Sequence, residues 1–97
     1  MANLDLADRY VDFIINTVKS ILPDVEIFIY GSRVQGKARE YSDVDIALKG
    51  DIDFDKLLKL KALFEDSTFP YKVDVVDLNS LAPEFFNKIE KDLYKIK

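Results

Sequence analysis

Two aspartates, Asp43 and Asp45, stand one residue apart in the stretch "SDVDIALK", and a third, Asp74, lies between Val73 and Val75 in "KVDVVDL". Residues i and i+2 of a strand face the same side, roughly 6 to 7 Å apart. Two carboxylates so placed repel one another, weakly in water and more strongly when partly buried. A divalent cation between them reverses the sign. Mg²⁺ takes one or two carboxylates together with waters and substrate phosphates, which is what such a pair offers. Taken alone, the DxD also reads as a polar strand face in solvent, and Asp74 as a sheet-end aspartate paired with Lys72 or Lys49. Taken together, three acids on adjacent apolar strands suit a hard-metal site for phosphoryl chemistry, in which two metals activate a hydroxyl and stabilise a leaving phosphate.

Upstream, the apolar run "VEIFIY" ends in Gly31 and Ser32. A strand that runs through Gly-Ser into a turn or short helix exposes N–H groups and a hydroxyl, which suits an anion. Glycine lets a phosphate approach the backbone closely. Arg33, Lys37 and Arg39 follow, and add positive charge in the same span. A Gly-Ser pair by itself carries almost no information, and an ordinary loop with solvated basic residues has the same composition.

These residues need a scaffold. Apolar side chains at Ala7, Val11, Ile14, Ile15, Val18, Ile21 and Leu22 have helical spacing and predict a helix over residues 4–22, stopped by Pro23. Residues 25–30 read as a buried strand, and residues 42–49 alternate with strand period. A second helix is expected over residues 53–66, with Phe54, Leu57, Leu58, Lys61 and Phe64 at helical spacing. Residues 72–78 form a third strand. A last helix, capped by Asn79 or Ser80 and with Pro83 in its first turn, would bury Phe85, Phe86, Ile89, Leu93 and Ile96. Tyr30 and Tyr41 read as core or rim residues that also stand close to a site. The fold class is α/β (α+β): one small mixed sheet flanked by helices. If the third strand pairs with the second, Asp74 joins Asp43 and Asp45.

Composition narrows the chemistry. The 97 residues predict a single domain, 1–97. The chain has no histidine and no cysteine, so any metal must be held by oxygens, and a hard ion is expected. A net charge of −4 argues against direct nucleic-acid binding. The N-terminus lacks the basic-then-apolar pattern of a signal peptide, and no apolar run approaches the roughly 20 residues of a membrane span.

The combination is more specific than its parts. "GS", ten residues, then "DVD", then a third acid in a later apolar strand, resembles the DNA polymerase β-like nucleotidyltransferase superfamily. The whole span "GSRVQGKAREYSDVDIAL" is most similar to the minimal nucleotidyltransferase (MNT) family, over nearly the full chain. By that resemblance, Gly31 and Ser32 would hold the β- and γ-phosphates of ATP, with Arg33 as a further phosphate contact. Asp43 and Asp45 would bind two Mg²⁺ ions. Asp74 would complete the catalytic metal's site and help deprotonate the acceptor hydroxyl. The implied reaction is transfer of AMP, with release of pyrophosphate. The resemblance also implies a cytoplasmic antitoxin that AMPylates a tyrosine of a helical HEPN-domain toxin, in a hetero-oligomer with that partner. By the same resemblance, the partner would supply the acceptor surface that a single lobe lacks. Two alternatives stand beside it: a non-catalytic antitoxin that neutralises by contact, and transfer to a small molecule or RNA end.

Overall fold

The computed structural model describes residues 4–36 and 43–97. Helix α1 (Asp8–Ile21) leads into β1 (Glu26–Tyr30), the one-turn helix α2 (Ser32–Gln35), β2 (Val44–Lys49), α3 (Phe54–Asp66), β3 (Val73–Asp77), α4 (Pro83–Ile89) and β4 (Tyr94–Lys95). The sheet order is β3-β2-β1-β4. β1 runs antiparallel to β2 and β4, and β2 runs parallel to β3. A parallel pair needs a crossover, and α3 supplies it. The mixed sheet with flanking helices is the expected class. No helix among the described residues is long and apolar enough to cross a membrane.

The two sheet faces differ. Alternation sends Ile27 and Ile29 of β1, Val44, Ile46 and Leu48 of β2, and Val75 of β3 to one side. There they meet Ile14 and Val18 of α1 and Leu57, Leu60 and Phe64 of α3 in one closed core. Each side chain of this size contributes about 1.5–3 kcal/mol on burial. Lys19 closes the end of α1 by donating to the carbonyls of Pro23 (3.0 Å) and Val25 (2.8 Å), which fixes the entry to β1. The opposite face carries a smaller cluster, Tyr30, Ala47 and Ile89, with Phe28, Val76, Leu78, Leu81 and Leu93 partly buried against it.

Four sequence expectations are corrected. The first helix begins at Asp8 rather than residue 4, because Asp5 is tied to another part of the chain: its N–H donates to the Arg33 carbonyl (2.7 Å). On α3 the buried stripe is Leu57, Leu60 and Phe64, while Phe54 and Leu58 are 69% and 48% exposed. Leu58 lies one position, about 100° of helix rotation, off that stripe. Asn79 and Ser80 do not cap α4. They lie in a 3₁₀ turn capped by Asp77, whose carboxylate accepts from the Asn79 N–H (2.9 Å) and the Ser80 hydroxyl (3.2 Å). α4 starts instead at Ala82 with Pro83 as its first residue. Finally, the last helix stops at Ile89. A 3₁₀ turn at Glu90–Asp92 follows, and the chain then pairs with β1 as β4, with the Ile96 N–H donating to the Ile27 carbonyl (2.9 Å). Tyr94 and Ile96 both pack against the larger core, a period of two within a pattern that also fits a helix.

Candidate active site

The strand register builds a row of polar groups on the thinly covered face. Tyr30 of β1 is the partner of Asp45 of β2, and Asp45 is the partner of Asp74 of β3. Register partners point to the same side, and neighbouring strands lie about 4.8 Å apart. The carboxylates of Asp45 and Asp74 are therefore nearest neighbours across the parallel ladder. Asp43 lies exposed, two residues before Asp45 and just outside β2.

The electrostatics follow from this packing. Asp45 is half-buried, and its carboxyl is pushed up to about 6, first by burial, then by the charges of Asp74 and Asp43. The Tyr30 hydroxyl is pushed up to about 12 by burial and by Asp45 and Asp74. The acids thus share one electrostatic site, and ionising Asp45 within it is harder than for a free carboxylate.

Gly31 stands at the end of β1, where the chain turns into α2. Its φ of 81° lies in the region that side chains avoid. A Cβ there would lie 2.5 Å from Asp45 Oδ2. The glycine therefore makes room for the carboxylate as well as for the turn. The Val34 N–H donates to the Gly31 carbonyl (3.0 Å), which fixes that turn, and Ser32 follows, partly exposed, as the first residue of α2.

Arg33 goes elsewhere. It is 5% exposed, donates from Nη1 to the Asp5 carbonyl (3.1 Å), and lays its guanidinium over the Tyr71 ring at 4.2 Å. The structure brings Gly31, Asp45 and Asp74 to one cleft and places Arg33 beneath it, as an anchor for the turn. Lys37, Arg39 and Tyr41 lie outside the described residues.

The cleft has a volume of about 510 Å³, within the range of small-molecule sites. Tyr30, Gly31, Asp45 and Asp74 line its sheet side, and Phe85, Lys88, Ile89, Lys91 and Asp92 line the other. The Phe85 ring meets Tyr30 edge-on, at 6.4 Å and 86°. Sequence reasoning assigned Phe85 and Ile89 to the core and did not single out Lys88 or Lys91. Their signal is a spacing of three from Phe85 onward. A second cavity on this face, of about 460 Å³, is walled by Phe28, Leu78, Leu81, Phe86 and Leu93 and has no acid in its lining.

The resemblance to polymerase β-like nucleotidyltransferases implies divalent metal. Among the described residues no three acids converge on one point. What the chain offers is the pair Asp45 and Asp74, with Asp43 nearby, all oxygen donors. That set fits Mg²⁺, which completes its shell with waters and substrate phosphates rather than with a closed protein cage.

The comparisons with known proteins agree with the fold and with one another. Residues 13–96 match the family model for polymerase beta nucleotidyltransferases. The chain is 33% identical over 92 residues to "Probable protein adenylyltransferase MntA" of Haemophilus influenzae, covering 93% of this chain and 81% of that protein. A crystal structure of a toxin-antitoxin with AMP-PNP contains a chain that superposes with a TM-score of 0.75 at 24% identity, over 90% of this chain and 72% of that one. A structure of a tri-AMPylated Shewanella oneidensis HEPN toxin in complex with MNT antitoxin gives 0.67 at 22% identity, over 90% and 68%. The acid row, the glycine beneath it and the match over most of the chain lead to one conclusion: this protein belongs to the polymerase β nucleotidyltransferase family, in its minimal nucleotidyltransferase branch, and is a nucleotidyltransferase.

Proposed function

We propose that this chain is the antitoxin of a toxin–antitoxin pair and works as a single-domain protein adenylyltransferase in the cytoplasm. It transfers AMP from ATP to a tyrosine hydroxyl of a helical HEPN-domain toxin with which it associates. The observation that carries this reading is the register pairing of Asp45 with Asp74 beside Gly31. The adenylyltransferase relative and the structures holding AMP-PNP and an AMPylated HEPN toxin support the choice of nucleotide and acceptor.

Each residue has a defined task. Gly31 and Ser32 hold the β- and γ-phosphates at the open turn. Arg33 keeps that turn in place from below. Asp43, Asp45 and Asp74 would hold Mg²⁺, which supplies Lewis-acid polarisation of the phosphates when bound. Asp74, exposed on the outer strand, faces the incoming acceptor and accepts its proton. The tyrosine oxygen attacks the α-phosphorus, the bond from that phosphorus to the bridging oxygen breaks, and pyrophosphate leaves with the electron pair. Protein and AMP are then joined by a phosphodiester.

The test is mass spectrometry of the HEPN partner after incubation with the chain, ATP and Mg²⁺. A gain of one or more AMP groups on tyrosine, absent with Asp45→Asn, is expected. An unmodified partner whose toxicity is still neutralised would replace this reading with inhibition by contact.

A further inference from the structure

Phe85, Lys88 and Lys91 follow one another at intervals of three, across the end of α4 and into the 3₁₀ turn at Glu90–Asp92. Residues three apart share a face in an α-helix and are stacked in a 3₁₀ turn. The same three side chains line the cleft opposite Asp45 and Asp74. A lysine in the last turn of a helix also meets the negative end of the helix dipole, which accounts for Lys88 but not for Lys91.

We propose that this face of α4 is the nucleotide-holding wall of the cleft, with Lys88 and Lys91 contacting the phosphates of ATP and Phe85 packing against the purine. The inference rests on the function proposed above and assigns residues to it. Its argument is electrostatic. A triphosphate entering this cleft meets Asp45 and Asp74 on the sheet side, in a chain of net charge −4. Asp92 stands on the wall with the lysines, so the opposing field needs cations, and among the described residues Lys88 and Lys91 are the basic ones that line the cleft, Arg33 being buried against Tyr71. Neither lysine joins Lys95–Glu26, the one ion pair among the described residues. Phe85 is 40% exposed, whereas Tyr30, perpendicular to it at 86°, is buried. Phe85 therefore has ring surface to offer a base.

Calorimetric binding of AMP-PNP with Mg²⁺ tests the assignment, because it reads the wall without turnover. Both lysines are exposed, so Lys88→Gln/Lys91→Gln should keep its circular dichroism and melting temperature. It should bind AMP-PNP about tenfold more weakly or worse, with a shallower dependence on salt, and Lys88→Arg/Lys91→Arg should restore binding. Phe85→Ala should weaken AMP-PNP but leave inorganic triphosphate unchanged. Unaltered AMP-PNP binding by the double glutamine variant overturns the proposal; if the KM for the protein acceptor rises at the same time, the lysines serve the acceptor. Wild type that binds AMP-PNP through these residues yet modifies no HEPN partner sinks the proposed function and leaves this wall standing. Wild type that binds no nucleotide sinks both.

Discussion

The two faces of the sheet are built from the same strands and do opposite work. The face under α1 and α3 is closed by apolar side chains with almost no exposure, and its buried cluster holds no charged residue among the described residues. The face under α4 has a small cluster, two cavities and a half-buried aspartate held against a second one. Alternation along β2 makes the contrast: Val44, Ile46 and Leu48 go one way, Asp45 and Ala47 the other. The helical face supplies the stability that lets the other face keep mutually repelling carboxylates together.

Substitutions should therefore separate cleanly by face. The largest effect belongs to the acids. Asp45→Asn or Asp74→Asn should cut AMP transfer by roughly 10³-fold, several kcal/mol of transition-state stabilisation, with the fold intact by circular dichroism. Equal loss of activity and structure would mean that the faces are not separable. Next comes Leu60→Ala on the helical face, which should cost about 2–5 kcal/mol in urea unfolding while leaving the remaining folded protein active. Gly31→Ala touches both functions. The positive φ costs about 1 kcal/mol, and displacement of Asp45 should lower activity well beyond that loss.

A smaller effect is set by pH. The folded state raises Asp45 from its ordinary 3.8 to about 6, so the native protein binds more protons than the unfolded chain between these values. The resulting stability is fully present below about pH 4 and is lost as pH rises through 6. In EDTA, Asp45→Asn should therefore match wild type at pH 4 and exceed it at pH 8, by about 1 kcal/mol after allowance for solvent screening. A melting temperature difference that is constant with pH would show that Asp45 is not strained by its neighbours. The smallest effect is Lys95→Ala, which removes the exposed pair with Glu26 (3.1 Å) and should leave the urea midpoint nearly unchanged.

The legible parts of this protein are those where one local pattern decides. Alternation across Val44–Leu48 and the Leu57–Phe64 spacing defined the strand and helix whose pairing brings Asp74 beside Asp45. The Gly-Ser break after β1 was equally local. What escaped depends on tertiary packing. Arg33 reads as a basic residue near a phosphate turn, yet contacts that include the Tyr71 ring and the Asp5 carbonyl draw it inward. The segment after Ile89 fits a helix by spacing, but the open edge of β1 captures it as a strand. Lys88 and Lys91 look like solvated surface charge until α4 is seen standing across the cleft from Asp45.

The crossover through α3 has a consequence for the order of events. Asp43 and Asp45 leave the ribosome about thirty residues before Asp74, and Gly31 earlier still; Asp74 joins them only when β3 docks alongside β2. β3 is an edge strand, paired on one side only. Its detachment is among the less costly partial openings of such a sheet. The docking of one edge strand is thus a late step in building the cleft: a chain that has formed β1 and β2 but not β3 holds Asp45 without its register partner. The paired acids of the cleft come together only with that strand, and they part when that edge frays.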